Sequence, residues 1–290
     1  MASLIKQQVL SYFNHFIKQN THRGRVGQDG ATSGTIIINE KPVDYLVVYD
    51  GHGNGKNRDV TVNYLRGLDW PSLLVSGNFY LTLSENLKKL DTSGGGSTLS
   101  VCLIYDSHFE TFWIGDSTIR IYDEKEEIWR SKDHNEKNPD EVTRMSEIGI
   151  EILKKYKRGS KNGQTIYTLK TLSGDTLDMT QGALFDYGSI DTINMSHALG
   201  HNNCTGDFIS HASVPREEGK KYKVIAGTDG LWELIHDEAH NEFLIDRKNQ
   251  SEAVVKFADT LWTKDWNYGG AKTTFPQWNI DDVAVATWSD

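Results

Sequence analysis

An apolar run that ends in an aspartate recurs along this sequence, and no other feature constrains the fold as much. Runs of about four to eight apolar residues are typical of buried strands. A rigid sheet can hold a carboxylate at the end of such a strand in a fixed position at the rim of the core. The runs and their aspartates are residues 45–49 before Asp50, 112–115 before Asp116, 222–228 before Asp229, and 283–288 just after Asp281.

Taken singly, each of these aspartates is weak evidence for a site. Asp-Gly is a common turn dipeptide, so Asp50-Gly51 or Asp229-Gly230 alone would indicate a turn more often than a site. The repetition favours a site, because several carboxylates at the edge of one core repel each other unless cations lie between them. Ligation by oxygen alone favours Mg²⁺ or Mn²⁺ over zinc, which prefers His and Cys.

Hydrolysis of a phosphate ester is the chemistry that suits such a site. Two divalent cations can share a water molecule, lower its pKa and present it to phosphorus as a nucleophile. His52, two residues after Asp50, could give the leaving oxygen its proton. A guanidinium near Asp29 could hold the phosphate, and both Arg23 and Arg25 are candidates. The residues by themselves therefore predict a metal-dependent phosphatase.

The composition and the cysteine content narrow the possible classes of function and location. The 290-residue chain has 31 Lys and Arg against 40 Asp and Glu, and its net charge of −9 argues against general binding of nucleic acid. Cys102 and Cys204 have neither zinc spacing nor a disulfide framework, which indicates a reducing compartment. The sequence contains no signal peptide and no stretch of membrane-spanning length. We expect one domain over residues 1–290, a cytoplasmic monomer that does not bind membranes.

The N-terminal segment has the spacing of an amphipathic helix. Apolar residues recur at helical intervals from Ile5 to Phe16, which predicts a helix over residues 4–19. Its polar face is not strongly basic, so we expect it to pack on the body of the protein rather than to lie on a membrane.

A hairpin follows, in which β-rich runs at 35–38 and 43–49 flank a turn at 39–42. It carries the chain from Asp29 out along one strand and back to Asp50, so we expect these two aspartates to lie near each other. The other predicted helices lie within 57–90, after the cap at Asn138 with Val142, Met145 and Ile148 on one face, and at 231–235 and 251–263. The other predicted strands form an antiparallel meander over 98–130 and lie at 208–214, 222–228 and 283–288.

Two segments are predicted to be irregular surface structure, namely 154–205 and 264–278. The first carries a basic group between Lys154 and Lys161. A charge run of this kind is more often a solvated surface than a contact for an acidic substrate.

In their order along the chain, the aspartate motifs resemble those of the PPM (type 2C) metal-dependent serine/threonine protein phosphatases. Each motif is short, but the ordered set is specific and covers about residues 23–288. The motifs are Gln28-Asp29, Asp50-Gly51-His52-Gly53, Gly96-Ser97-Thr98, Gly115-Asp116-Ser117, Asp133-His134, Asn138-Pro139-Asp140-Glu141, Thr228-Asp229-Gly230 and Asp281-Asp282. The resemblance implies an α+β fold with a central sandwich of two antiparallel β-sheets flanked by helices.

The resemblance also implies roles for individual residues. Two catalytic ions, Mn²⁺ or Mg²⁺, would be bound by Asp50, the carbonyl of Gly51, Asp229 and Asp281. Asp29 would contribute through water, Asp116 would help to bind a third, weaker ion, and His52 would be the general acid. Residues 154–190 would form the variable flap near the site. The implied substrates are phosphoproteins, whose phosphoserine and phosphothreonine would be hydrolysed by direct attack of a water that bridges the metals.

Two departures from the family's pattern bear on the site. The family's phosphate-binding arginine usually precedes the aspartate by five positions, whereas Arg25 stands four before Asp29 and Arg23 stands six before it. The choice between them stays open. A Ser-Arg-Ala-Leu-Gly-Asp pattern of the family has His197 in place of its Arg and His201 in place of its Asp.

Other functions remain open at this stage. An inactive or weakly active member of the family could serve as a binding or regulatory protein, but such proteins typically lack ligand aspartates, and here the set is complete. A calcineurin-like metallophosphoesterase would share Asp50 and His52 as Asp-x-His, but it needs later His ligands and an Asn-His motif. A nucleotide-binding module would need a phosphate-cradling Gly-Lys-Ser/Thr loop, which the sequence lacks.

Overall fold

Two five-stranded antiparallel sheets form the centre of the protein. The computed structural model describes residues 12–18, 27–53, 56–135, 137–153, 168–170, 176–178, 184–186, 192–235, 238–268, 271–275 and 280–290. In spatial order, sheet 1 contains β16 (Ser210–Pro215), β7 (His108–Ile114), β6 (Leu99–Ile104), β3 (Lys41–Tyr49) and β2 (Gly30–Ile38). Sheet 2 contains β1 (Tyr12–Lys18), β20 (Val283–Ser289), β17 (Lys223–Gly227), β8 (Thr118–Tyr122) and β9 (Glu127–Arg130).

Helices and three smaller sheets surround this centre. The helices are α1 (Val60–Arg66), α2 (Trp70–Val75), α3 (Phe79–Leu87), α4 (Pro139–Glu147), α5 (Asp229–Trp232), α6 (Glu238–Ile245) and α7 (Ser251–Thr263). One small sheet joins β4 (Gly51–Gly53), β5 (Gly95–Ser97) and β15 (Leu199–Gly200). The other two join β10 (Glu151–Leu153), β13 (Leu184–Asp186) and β14 (Thr192–Ile193), and β12 (Thr176–Asp178), β11 (Thr168–Lys170), β18 (Trp266–Tyr268) and β19 (Ala271–Thr273). Within the described ranges no helix is long and apolar enough to cross a membrane.

The apolar runs of the sequence are strands buried on both faces. In β3, Leu46 and Val48 point into the space between the sheets, while Tyr45 and Val47 pack against the layer of α1, α2 and α3. Sheet 2 follows the same rule, with its outer face, including Val285, covered by α5, α6 and α7. Because side chains alternate along a strand, burial on both faces requires an unbroken apolar run. The result is four layers, helix, sheet, sheet and helix, which confirms the predicted fold class.

The predicted N-terminal helix is wrong where the structure describes that segment, because β1 is a strand. It pairs antiparallel with β20 over its whole length, from Tyr12 opposite Ser289 to Lys18 opposite Val283. The side chain of Asn14 also accepts a hydrogen bond of 3.1 Å from the backbone N–H of Ser251 at the start of α7. Pairing with an available sheet edge therefore outweighs the helical spacing. The rest of the predicted helix, residues 4–11 and 19, lies outside the described residues.

The predicted meander over 98–130 is correct in its strands but divides between the two sheets. β6 pairs with β7 in sheet 1, and β8 pairs with β9 in sheet 2. The chain crosses from one sheet to the other between Ile114 and Thr118. At the crossing Gly115 has a φ of 89°, and a Cβ there would lie 2.6 Å from Cγ2 of Thr98, so only glycine fits. The link residue Asp116 thus lies where the two sheets meet.

The predicted hairpin is present with a shorter turn. Asn39 and Glu40 both have positive φ, 49° and 64°, and they form a two-residue turn whose twist matches that of the strands. Pro42, predicted to be part of the turn, instead pairs with Ile37 in the ladder.

The cap of α4 is confirmed, because the backbone N–H of Asp140 donates to Oδ1 of Asn138 at 3.2 Å. The predicted apolar face of α4 is only partly correct, since Met145 is buried but Ile148 is exposed.

The segments predicted to be irregular contain short strands. The described pieces of 154–205 include β11, β12, β13, β14 and β15, and 264–278 contains the hairpin of β18 and β19. The basic group between Lys154 and Lys161 lies outside the described residues. Helix α6 was not predicted from the sequence, which has no strong helical period there.

Lys223 is a fully buried lysine that connects sheet 2 to the turn between α6 and α7. Its ammonium donates to the carbonyls of Leu244, Asp246 and Asn249 at 2.5, 2.7 and 2.8 Å. Burial lowers the pKa of Lys223 to about 7. The three acceptors use all three of its donors, so the side chain fastens the end of α6 to β17.

We expect Lys223→Met to lower the free energy of unfolding by about 3 kcal/mol, because three buried carbonyls lose their donor. Lys221→Met is the matched control, since Lys221 is exposed two residues earlier and its replacement should change stability by less than about 0.5 kcal/mol. Urea unfolding of the two variants and the wild type measures both effects. Equal stability of the two variants would show that the three hydrogen bonds contribute nothing.

Candidate functional site

Four of the predicted site residues lie at one end of the sandwich, where strand ends of both sheets meet. Sheet 1 supplies Asp29, just before β2, and Asp50, just after β3. Sheet 2 supplies Asp229, just after β17, and Asp281, just before β20. Each pair is brought together by antiparallel pairing of its two strands, β2 with β3 and β17 with β20.

Two hydrogen bonds join the sheets at this end. The hydroxyl of Thr228 in sheet 2 donates to Oδ2 of Asp29 in sheet 1 at 2.7 Å. The backbone N–H of Gln28 donates to Oδ2 of Asp282 at 3.1 Å. Within sheet 2, Gly230 lets the ends of β17 and β20 approach closely, because a Cβ at this position would lie 1.9 Å from the carbonyl oxygen of Asp282. The end of the sandwich is therefore held together by polar contacts rather than by apolar packing.

The backbone of Asp50 is fixed by the last residue of β5 and the residue that follows it. The N–H of Asp50 donates to Oγ1 of Thr98 at 2.9 Å, and its carbonyl accepts from the N–H of Thr98 and the hydroxyl of Ser97, both at 2.9 Å. Thr98 in turn contacts the hydroxyl of Ser117 at 2.6 Å. This network ties Asp50 to the crossing that carries Asp116.

The carboxylates are close enough to change each other's protonation. The side chain of Asp50 hydrogen bonds to those of Asp29 and Asp229. Burial, followed by the charge of Asp29, raises the pKa of Asp50 well above its ordinary value. Burial and the charge of Asp281 do the same for Asp29, and burial raises the pKa of Asp229. A hydrogen bond between two carboxyl groups needs a proton on one of them, so this group retains protons at a pH where free carboxylates have lost them.

Asp116 lies next to this group, on the wall of a cavity of about 570 Å³. Burial and then the charge of Asp229 raise its pKa well above the ordinary value. Its Oδ1 atom is buried and has no hydrogen-bond partner among the described residues.

The same cavity exposes two acidic residues that were not assigned a role from the sequence. Burial raises the pKa of Asp133 to about 6. Glu233 is exposed on its cavity side, yet the protein around its carboxylate and the charge of Asp229 raise its pKa to about 8. Both had a signal in the sequence, because Asp133 belongs to the Asp-His motif and Glu233 follows Asp229 by one helical turn.

His52 lies beside these carboxylates on β4. Its Nε2 atom is 2.8 Å from Nε2 of His201, and the two rings are stacked. Burial and the proximity of His201 lower the pKa of His52 to about 3, so its imidazole is neutral at neutral pH. The two candidate phosphate ligands, Arg23 and Arg25, lie outside the described residues, and the choice between them stays open.

The donor set suits a hard divalent cation. It consists of carboxylate oxygens that repel each other, with the unpartnered Oδ1 of Asp116 beside them. A cation placed among these carboxylates would offset their mutual repulsion, as bound protons do in the metal-free protein. In the part of the chain that the structure describes, no three His, Cys, Asp or Glu side chains are already arranged as a metal-binding group.

Comparison with known proteins identifies relatives of this arrangement. The family model of protein phosphatase 2C matches residues 31–273. Comparison with curated protein sequences gave no match.

Several solved structures share the fold. A C. elegans sex determining protein matches with a TM-score of 0.62 at 15% identity, over 96% of this chain and 64% of that one, so this chain spans less than two thirds of its length. A serine-threonine phosphatase 2C from Toxoplasma gondii matches with a TM-score of 0.59 at 13% identity, over 96% of this chain and 94% of that one. The serine/threonine phosphatase Stp1 from Staphylococcus aureus matches with a TM-score of 0.53 at 13% identity, over 97% and 95%.

The raised carboxyl pKa values predict how stability depends on pH when metal is removed. Asp133 titrates at about 6 in the folded protein and at about 4 in the unfolded chain, so between these values the folded state binds more protons. Its contribution to stability is therefore present below about pH 4 and lost as the pH rises through about 6. Asp29 and Asp50 act in the same direction. In EDTA we expect the urea concentration at the unfolding midpoint to decrease as the pH is raised from about 4 through about 6.

Asp133→Asn isolates the contribution of Asp133 to this pH dependence, because an amide does not titrate. As the pH rises over the same range, the variant should lose less stability than the wild type. Asp106→Asn is the control, since Asp106 is exposed in the turn between β6 and β7, at the opposite end of β7 from Asp116. A pH dependence that is the same in both variants would contradict the assignment to Asp133.

Proposed function

The chain belongs to the protein phosphatase 2C family, and on that premise we propose that it is a metal-dependent phosphatase that hydrolyses phosphoserine and phosphothreonine in proteins. The observation that supports this most is the meeting of Asp29, Asp50, Asp229 and Asp281 at one end of the sandwich. Carboxylates buried together in this way suit the binding of cations and not the packing of a core.

We propose that Mn²⁺ or Mg²⁺ is held by Asp50, the carbonyl of Gly51, Asp229 and Asp281, with Asp29 acting through water. Asp116 borders the cavity and would take part in a further, weaker site, for which Asp133 and Glu233 are added candidates. Bound there, such cations would supply the charge that neutralises a phosphate and the acidity that makes a water molecule nucleophilic. The rigid strand ends hold the carboxylates in position, so little reorganisation accompanies the reaction.

His52 is the proposed proton donor to the leaving oxygen. The alkoxide of serine or threonine is a poor leaving group unless it receives a proton as the P–O bond breaks. His52 is neutral in the free protein, but the negative charge of a phosphate beside it would raise its pKa and favour the imidazolium. Direct attack by water, without a phosphoenzyme, needs no further nucleophile from the chain.

The cavity provides a place for the substrate. Its wall carries the basic residues Arg130, Lys132 and Lys137 next to the acidic group. The charge of Lys137 acts on Asp133, Asp229 and Glu233, so this lysine lies within electrostatic reach of the site. We propose that these cations help to attract the phosphorylated segment of a protein.

The alternative is a catalytically weak or inactive member of the family that acts as a binding or regulatory protein. The histidine at position 201 favours it, because the family's pattern has an aspartate there. The two functions differ in whether the protein turns over a phosphate ester.

The metal-dependent reaction predicts loss of activity when a carboxylate is removed. With Mn²⁺ the protein should hydrolyse p-nitrophenyl phosphate and a phosphothreonine peptide, and EDTA should abolish both reactions. Asp229→Asn should lower kcat/KM about 100-fold or more, because it removes a charged ligand. Asp106→Asn, at the far end of β7, should leave it unchanged. Activity that survives EDTA, or Asp229→Asn, would rule the mechanism out.

The proposed role of His52 predicts a selective loss. His52→Ala should slow hydrolysis of the phosphothreonine peptide by about 100-fold and that of p-nitrophenyl phosphate much less, since p-nitrophenolate leaves without a proton. The affinity for Mn²⁺, measured by calorimetry, should stay close to that of the wild type. If the variant instead fails to bind Mn²⁺, His52 supports the metal site rather than the leaving group.

A further inference from the structure

The cavity beside the carboxylates has an acidic part and a basic part. The acidic part includes Asp116 at the crossing between the sheets, together with Asp229 and Glu233 at α5. The basic residues of the wall come from one stretch of chain, residues 130–137, which runs from the end of β9 toward α4. A volume of about 570 Å³ lies in the range of cavities that hold a drug-sized ligand. The cavity therefore has room for more than the phosphate that reacts.

Hydrogen bonds fix the backbone that carries the two lysines of this stretch. The carbonyl of Lys132 accepts a hydrogen bond of 2.8 Å from Nε1 of Trp113. The backbone N–H of Lys137 donates to Oδ1 of Asn135 at 3.0 Å, and the N–H of Asn138 donates to the carbonyl of Asn135 at 3.1 Å. Both lysines thus leave a fixed backbone, while their flexible four-carbon side chains can adjust to a ligand.

Lys132 already binds a carboxylate at the cavity wall. Its Nζ lies 2.9 Å from Oδ2 of Asp140, in the first turn of α4. The two side chains are 72% and 73% exposed, and an ion pair as exposed as this contributes little to stability. An anionic group of a ligand can therefore replace Asp140 at little cost. Arg130, the third basic residue of the stretch, is instead paired with the largely buried carboxylate of Glu127.

Lys137 is available to a ligand. Its side chain is exposed on the wall of the cavity, and within the described ranges its ammonium has no ion-pair partner. Its charge nevertheless reaches the carboxylates of Asp133, Asp229 and Glu233. An ammonium in this place can bind an anion that enters the cavity together with the phosphate that reacts.

We propose that Lys132 and Lys137 form a subsite for a second anionic group of the substrate, a carboxylate or a phosphate close to the phosphorylated residue. This inference rests on the proposed phosphatase function and names its preferred substrates, which are acidic or multiply phosphorylated segments of proteins. The phosphate that reacts belongs in the acidic part of the cavity, and the second anion belongs in the basic part. Asp140 competes with that anion for Lys132.

The test uses phosphothreonine peptides. The reference peptide has only neutral residues around the phosphothreonine. In one series a single Glu replaces each neighbouring residue in turn, and in a second series the replacement is a phosphonate analogue of phosphoserine, whose C–P bond is not hydrolysed. The two series distinguish a carboxylate from a phosphate as the second anion. KM and kcat are measured with Mn²⁺, and thermal unfolding shows that each variant is folded.

We expect the KM of the wild type to be about 3- to 5-fold lower when Glu stands at one particular position than for the reference peptide, because an exposed charge pair contributes modestly. The phosphonate at that position should lower KM further, since it carries more charge. Lys137→Met and Lys132→Met should each reduce this preference, and the double variant should abolish it. Lys137→Glu should favour a peptide with Lys at the same position.

Lys125→Met is the matched control, because it removes the same charge at a distance from the cavity. Lys125 is exposed in the turn between β8 and β9, at the opposite end of β8 from Asp116. This variant should keep the preference of the wild type.

Asp140→Asn should change the preference in the opposite direction. An amide does not compete for Lys132 as a carboxylate does, so the ratio of the two KM values should rise about 2-fold. Added salt should weaken the preference in every variant that has one, because exposed charges are screened.

Three results would overturn the inference alone. The first is an active wild type with the same KM for the reference and the acidic peptides at every position. The second is a KM that rises equally for both kinds of peptide in the lysine variants, because the lysines would then bind the phosphate that reacts. The third is an equal loss of preference in Lys125→Met, which would indicate general attraction by charge. Wild-type protein that hydrolyses no phosphopeptide would overturn the proposed function and this inference with it.

Discussion

The repulsion between buried carboxylates is the constraint on which the rest of this structure depends. Two sheets each bring acidic strand ends to the same place, and burial strengthens every interaction between their charges. Apolar packing cannot hold such an end closed. Two hydrogen bonds between the sheets hold this end closed instead. The hydroxyl of Thr228 in sheet 2 donates to the carboxylate of Asp29 in sheet 1. The backbone N–H of Gln28, next to Asp29, donates to the carboxylate of Asp282, just before β20 of sheet 2. Protons or cations must supply the remaining compensation.

The four-layer architecture explains why this end of the sandwich is rigid enough to act as a site. Helices cover the outer face of each sheet, and the facing strands fill the space between them, so the strands cannot slide. The central strands are buried along most of their length, whereas the edge strands β9 and β16 are partly exposed. Asp116 lies where the chain leaves sheet 1 for sheet 2. Its carboxylate extends the acidic group to the wall of the cavity.

The pair of histidines lies where this chain departs from the family's sequence pattern. An aspartate at position 201 would place a negative charge beside His52 and raise its pKa. With a neutral imidazole at this position, burial and then the proximity of His201 lower the pKa of His52 instead. The left-handed residues of the loop at 201–203 are consistent with a position that the surroundings impose on His201.

The sequence alone determined the apolar central strands, the aspartates at their ends and the closeness of Asp29 to Asp50, because apolar runs and turns are encoded in neighbouring residues. The order of the motifs was enough to indicate the family and its sandwich. The tertiary structure decided the features that depend on contacts between residues far apart in the sequence. β1 became a strand because β20 offered an edge, and β8 joined sheet 2 because the chain crosses at Asp116. The contact between His52 and His201 spans 149 positions, and no local pattern of residues can specify a pairing over that separation.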